Sequence, residues 1–230
     1  MIDEVAVIGA RGRVGSAVSA RLRERGLTVR DGGVGELVLV CVPDRAIAEV
    51  AGAVPAGPWI AHTSGGTKLS ALDPHERRFS VHPLQTFTHD RGPEQLDGAW
   101  AAVSGETAEA LAVGTWLAET LGLRPFGLAD EKRALYHAGA AVAANYLVTL
   151  RRAAGQLVEA AGAPPEALDP LMRRVIENGF QLTGPIERGD WETVERHRAA
   201  IAERAPDLLA AYDELARLTA RNVELQGVSA

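Results

Sequence analysis

Cysteine, lysine and aromatic side chains are all scarce in this chain of 230 residues. The one cysteine, Cys41, lies in the apolar run LVLVCVP without a partner. That excludes a disulfide framework and a thiolate metal centre, suits a reducing compartment, and reads as a small core residue rather than a nucleophile. No metal ligand set is expected. Of 24 basic residues only Lys68 and Lys132 are lysines, and the bases alternate with enough acids to leave a net charge of -6. Without a basic field there is no electrostatic footprint for nucleic acid. The N-terminal stretch MIDEVAVIG sets a short apolar run behind acids. It forms neither a secretory signal nor a membrane span, so a cytoplasmic location away from membranes is expected. What the chain has in quantity is apolar residues, 47% of the total, enough to fill a sizeable core.

The two halves read differently. EVAVIGA is a β-rich apolar run ending in glycine, and GSAVSARLRERG follows with apolar residues at helical spacing. LTVR, ELVLVCVP, PWIAH, FSVH, WAAVSG and RPFGL continue as apolar strands, with RAIAEVAGAV and TAEALAVGTWLAETLG as helices between them. Continuous apolar strands separated by helices indicate a mostly parallel sheet covered on both faces. From Ala129 onward only helical patterns remain, beginning with one helix of some thirty residues. The expected fold is therefore α/β: a shortened Rossmann-type parallel-sheet domain over residues 1–128, followed by an all-helical domain over residues 129–230.

Between the first strand and first helix stands GARGRVG, with Gly9, Gly12 and Gly15. In a dinucleotide fold such glycines permit a tight turn, admit a pyrophosphate close to the backbone and let the helix pack on the sheet, with Arg13 and Val14 opening the helix that faces the anion. The second strand ends LTVRD. Asp31 suits ribose hydroxyls and Arg30 a 2′-phosphate, which leaves NAD and NADP both open. Only Asp31 to Glu36 then separate this strand from LVLVCVP, whereas a parallel crossover ordinarily takes a dozen residues or more. Six residues reach at most about 20 Å, enough to pass one intervening strand. The crossover helix is missing, and weakened cofactor binding is the expected consequence.

Polar clusters recur where strands end. VPDRAI brings Val42, Pro43 and Asp44, HTSGG brings His62 and Ser64, and VHPLQTF brings His82. Ligands of open α/β sheets bind beyond these ends. HTSGG fits the wall beside a nicotinamide, with Ser64 hydrogen-bonding and glycine admitting a flat ring. The alternative is that His62 and Ser64 cap the turn that follows. On the helical run Tyr136, His137 and Asn145 interrupt an Ala/Val/Leu surface, and an eight-residue spacing sets His137 and Asn145 within about 80° on an α-helix. His137 suits proton exchange and Asn145 orientation of a substrate, against the alternative of a packed histidine. Farther on, Arg188 and Asp190 offer either an anion anchor or a bridge bracing the Gly-Pro turn, with Asp190 also suited to cap the helix WETVERH.

GRVGSA, CVPDRAIAEVA, HTSGG, HPLQTF, YHAGAAVAANYLVTL and LTGPIERGDWETVERH, in this order, resemble an uncharacterised bacterial family. Its members join a Rossmann-like NAD(P)-binding domain to a helical domain of unknown function within the 6-phosphogluconate dehydrogenase-like superfamily. The resemblance spans nearly the whole chain. It implies hydride transfer between a nicotinamide and a small-molecule substrate, as in ketopantoate reductase or pyrroline-5-carboxylate reductase, and a homodimer formed through the helical half. Hydroxyacid dehydrogenases of that superfamily carry a lysine four residues before the helix asparagine; here that position is Ala141. His137 is the available proton donor, with Asn145 and His82 orienting the substrate. A non-catalytic metabolite-binding homologue is the rival reading.

Overall fold

The structure is a computed structural model that describes residues 2–228. The chain divides into two compact units, Met1–Ala144 and Asn145–Ala230.

The first unit holds seven strands: β1 Glu4–Ile8, β2 Thr28–Asp31, β3 Leu37–Val40, β4 Trp59–His62, β5 Arg78–Pro83, β6 Trp100–Gly105 and β7 Arg124–Gly127. Their order in the sheet is β2-β1-β3-β4-β5-β6-β7. All neighbours pair in parallel except β5 and β6, which run antiparallel from Phe79 opposite Gly105 to Pro83 opposite Ala101. Helices α1 Arg13–Glu24, α2 Ile47–Gly52, α3 Ala108–Thr120 and α4 Arg133–Ala141 complete the unit. The period-two alternation of the strands decides which residue goes to which face. Val5, Val7, Leu37, Leu39, Ala61 and Phe79 pack with α1 and α3, whereas Ala6, Val38, Val40 and Ile60 pack with Ile47 and Ala51 of α2. A sheet covered on both faces explains why its central strands are apolar throughout.

The bare crossover is present as expected. β2 ends at Asp31 and β3 begins at Leu37 on the far side of β1. Both ends of the connection are tied to the strand it crosses: Gly32 N–H donates to Val7 O at 3.0 Å, and the Glu36 carboxylate accepts from the N–H groups of Asp3 (2.7 Å) and Glu4 (3.2 Å). Those two amides hold the Glu36 carboxyl below its ordinary range. A Cβ at Gly35 would stand 3.1 Å from Glu4 O and 3.2 Å from Ala6 N, so the chain lies flat against β1.

The units part at Ala144, beyond the change of sequence character at Ala129. The reason is local. Asp130 accepts from Leu69 N–H at 3.0 Å and Arg133 is fully buried, so the start of the helical run folds onto the sheet. The single long helix expected from Ala129 is also interrupted. A 3₁₀ turn at Asp130–Lys132 precedes α4, and a π-helical turn, Val142–Tyr146, separates α4 from α5, Leu147–Ala160. Such a turn takes an extra residue per ring. No proline or glycine pair marks the interruption in the sequence.

In the second unit α5 is followed by α6 Leu168–Glu177, α7 Trp191–Arg204 and α8 Leu209–Val228, with no strand among the described residues. Asp190 caps α7, accepting from Thr193 N–H at 3.1 Å. Arg188 donates to Thr183 O at 2.6 Å and so braces the Gly-Pro turn through a carbonyl. Arg198 of α7 makes a two-point pair with Asp213 of α8 at 2.7 and 3.2 Å. Within this unit only Gly155, Val194 and Ile201 are buried among the described residues, while Val148, Leu171 and Ile176 remain more than half exposed. No helix of the described residues is long and apolar enough to cross a membrane.

Candidate functional site

The turn after β1 needs its glycines for separate reasons. Gly9 has φ +89, and a Cβ there would fall 2.4 Å from Cys41 O; a Cβ at Gly15 would fall 2.2 Å from Gly9 O. These two are required by the meeting of β1, β3 and α1. Gly12 differs. Its Cβ would meet only Gly9 O at 3.2 Å and Cys41 O at 3.7 Å, and its backbone is extended, with φ -71. As N-cap of α1 it brings no side chain to the helix, and no acid stands in the first turn. Arg13 opens the helix exposed and Val14 is half-buried, packed against the core.

Around this turn the other expected cofactor residues are spread as follows. Val42 is half-buried beside Gly9, and exposed Pro43 leads into a 3₁₀ turn at Asp44–Ala46. Asp31 lies 3.6 Å from Arg11 of the glycine turn, whereas Arg30 is paired with Glu4. The Cys41 thiol is pushed up to about 12 by burial, which fits its reading as an inert side chain.

The HTSGG turn after β4 is built from its own side chains. Ser64 Oγ accepts from the N–H groups of Gly66 (3.2 Å) and Thr67 (3.0 Å) and lies 2.9 Å from Thr67 Oγ1. The ring of His62 accepts at Nδ1 from Ser64 N–H at 3.2 Å. That bond leaves the proton of the neutral ring on Nε2, which is buried, with the backbone of Lys68 favouring its charged form. Burial first, and then the charge of Arg133, hold this imidazole down at about 3, with Asp44 opposing. Both side chains therefore bond within the turn that follows β4.

The glycines of this turn do admit flat rings, and these belong to the chain itself. A Cβ at Gly65 would stand 2.8 Å from His82 Nε2 and 2.9 Å from His137 Cδ2, and one at Gly66 would stand 3.0 Å from His137 Nδ1. His82, from the end of β5, and His137, from α4, face each other edge-on at 6.2 Å. His82 Nδ1 is also 2.8 Å from the Tyr136 hydroxyl. Burial, then His137 and Arg133, hold His82 down at about 4 against the pull of Asp44; burial pushes Tyr136 up to about 12. At neutral pH the pair is an uncharged hydrogen bond, and His137 beside it is exposed. Arg133 Nη1 donates to Ser64 O at 2.9 Å and Gly65 O at 3.3 Å.

The first unit thereby gathers His62, Ser64, His82, Tyr136, His137 and Arg133 around one turn. Asn145 belongs to the second unit, where it is exposed and its carbonyl accepts from Thr149 Oγ1 at 3.2 Å. Sequence reasoning missed Arg133 altogether and gave Tyr136 no role. A signal was present, because Arg133, Tyr136 and His137 recur at i, i+3 and i+4, one face of a helix. A groove of about 890 Å³ lies elsewhere, lined by Glu4, Glu36, Trp59 and Trp116 among others. It opens at the N-terminal ends of β1, β3 and β4, opposite the end where open α/β sheets bind ligands. No group of three or more histidines, cysteines or carboxylates that could hold a metal occurs among the described residues.

Comparison with known proteins agrees with this architecture. A family model described as Domain of unknown function (DUF2520) matches residues 99–219, just over half of the chain. No curated protein matches the sequence. Protein TM1727 from Thermotoga maritima superposes with a TM-score of 0.78 at 25% identity, covering 97% of this chain and 99% of its own. BF3122 from Bacteroides fragilis, provisionally named an NADP oxidoreductase, gives 0.79 at 19% identity over 96% of this chain and 98% of its own. A semialdehyde dehydrogenase NAD-binding protein from Cupriavidus necator, solved with calcium and NAD, gives 0.62 at 18% identity over 93% and 99%. These likenesses place the fold among Rossmann-like proteins with a helical C-terminal region.

Proposed function

The chain belongs to the family described as Domain of unknown function (DUF2520), and from the geometry of its first unit we propose an NAD(P)-dependent reductase or dehydrogenase acting on a small polar carbonyl, hydroxyl or imine compound. The observation that carries this reading is Gly12. Among the described residues a Cβ there would crowd only Gly9 O, at 3.2 Å, and the glycine leaves the N-terminus of α1 without a side-chain cap. That cradle fits a pyrophosphate, held by the amides at the start of α1 between Gly9 and Gly15. Similar structures bear the names of an NADP oxidoreductase and of a protein bound to NAD, which supports a nicotinamide cofactor.

A bound nicotinamide dinucleotide would supply or take up hydride. His137 is the exposed ring at the turn and exchanges the proton. His82, uncharged and hydrogen-bonded to Tyr136, orients the substrate, and Ser64 keeps the turn in shape. Asp31 takes the ribose hydroxyls. Arg30 is drawn to Glu4 whereas Asp31 is only loosely paired, 3.6 Å from Arg11, and on that difference we propose NADH as the preferred form.

Titration with NADH and NADPH, followed by nicotinamide fluorescence, tests the reading. Micromolar binding of NADH with weaker NADPH is expected, and no binding of either at millimolar concentration would overturn it. Replacing His137 by Ala should lower turnover about 10²- to 10⁴-fold; unchanged turnover in a folded variant removes His137 from the chemistry. The bare crossover beside Asp31 favours a second reading, a metabolite-binding homologue without hydride transfer. It predicts ligand stabilisation of the first unit by carbonyl compounds in the absence of cofactor.

The thin core of the second unit and its exposed Val148, Leu171 and Ile176 support a homodimer through its helices, since contiguous apolar helix faces ordinarily find a partner. Sedimentation at micromolar concentration should give twice the chain mass, and a monomer would exclude it.

A further inference from the structure

Two arginines of the first unit are buried, and they are buried differently. Arg21, on α1, is 6% exposed and uses all three of its nitrogens. Nε donates to Glu24 at 3.0 Å, Nη1 to Asp97 at 2.7 Å and Nη2 to Pro93 O at 3.0 Å. It is a brace with nothing left over. Arg133 is 0% exposed, and its Nη2 has no partner among the described residues. Its Nε donates to Asp130 at 3.0 Å, and its Nη1 holds the carbonyls of Ser64 and Gly65.

A buried guanidinium with an idle donor is a poor device for stability. Taking such a charge out of water is costly and only full pairing offsets the loss, so an apolar side chain of similar size would serve a core better. What Arg133 does accomplish is local. With Asp130, which also accepts from Leu69 N–H, it holds the segment from Ser64 to Leu69 at both ends. Gly65 is held at the first of these ends and Gly66 follows it, and these are the surfaces on which the His82 and His137 rings rest.

We propose that Arg133 is a positioning residue: it seats the Ser64–Gly65 turn and thereby sets where the His82 and His137 rings stand. This rests on the reading of those rings as the reacting part of the site. The same guanidinium acts on His82 electrostatically. The charged and titratable groups facing that ring are Tyr136, His137 and Arg133 from the helical side, Asp44 from the turn after β3 and His62 from the end of β4. Of these, His137 and Arg133 disfavour its protonation and Asp44 favours it. A brace that only held the fold together would leave the titration of His82 alone.

The test is the pH titration of the histidine ring signals by NMR in the full-length protein and in Arg133→Met and Arg133→Lys. In Arg133→Met the His82 midpoint should move up and the His82–His137 ring contact should be lost. In Arg133→Lys the charge remains, so the midpoint should stay low while the ring contact weakens, because an ammonium cannot span two carbonyls as the fork does. Wild-type midpoint and wild-type ring contacts in a folded Arg133→Met would overturn the proposal. Should Arg133→Met not fold, Arg133→Lys with an unaltered His82–His137 contact would do so. Cofactor titration of the wild type is a separate readout: failure to bind NADH or NADPH would remove the redox reading and leave the ring placement standing or falling on the NMR result.

Discussion

The turn after β1 and the turn after β4 are both rich in glycine and both lie at the C-terminal end of the sheet, yet they need glycine for opposite reasons. At Gly9 and Gly15 an added Cβ would strike backbone, 2.4 Å from Cys41 O and 2.2 Å from Gly9 O. At Gly65 it would strike imidazole, 2.8 Å from His82 and 2.9 Å from His137. Backbone cannot move aside without dismantling strand and helix, whereas a ring can swing away. The first turn is therefore part of the fold, and the second is a seat for side chains.

Gly9→Ala should have the largest effect. A left-handed backbone added to overlap with Cys41 O costs more than about 5 kcal/mol, and no cooperative urea transition should remain.

Acid comes next and should act through the second turn. His62 and His82 are held near 3 and 4 in the folded protein, against about 6.5 in an unfolded chain. Below pH 6.5 the unfolded chain binds protons that the folded one refuses, so stability is full above that value and falls as pH drops. About 2 kcal/mol should be lost for each ring between pH 6.5 and 4.5. Urea titrations at the two values measure this, and His82→Gln should lose only about half as much; an equal loss in the variant would assign the effect elsewhere.

Gly65→Ala should cost about 2 kcal/mol and displace both rings, seen as altered His82 and His137 signals in a protein that still melts cooperatively. Gly12→Ala should have the smallest effect on stability, about 1 kcal/mol, since its backbone is extended and the added Cβ would crowd only Gly9 O, at 3.2 Å. It should nevertheless weaken nicotinamide binding at least about tenfold. A Gly12→Ala variant that binds as well as wild type would make Gly12 a spacer and not a cradle.

Much of the first turn was legible in the sequence because strand, glycine spacing and amphipathic helix are local patterns. The strands around Val38 and Ile60 and the short crossover at Gly32–Glu36 were readable for the same reason. Less could be seen wherever the cause was distant in the chain. The rings that make Gly65 necessary come from β5 and α4, 17 and 72 positions further on, and no spacing rule connects them. Arg133 looked like one basic residue among many because its burial depends on Asp130 and on the carbonyls of Ser64 and Gly65. The reversal of β6 has no signature in WAAVSG, and the π turn hides in AGAAVAANY, where nothing forbids a plain α-helix.

The crossover carries one more consequence, for engineering. Its two ends are fastened to β1 independently, by Gly32 N–H and by the Glu36 carboxylate, while Cβ atoms at Gly32 and Gly33 would meet nothing within 4 Å. The ladder does not depend on the length of what lies between those anchors. Since each doubling of a flexible loop costs only about 0.6 kcal/mol, the Gly32–Gly33 step is a grafting point. A helix inserted there would give the protein the wall it was built without.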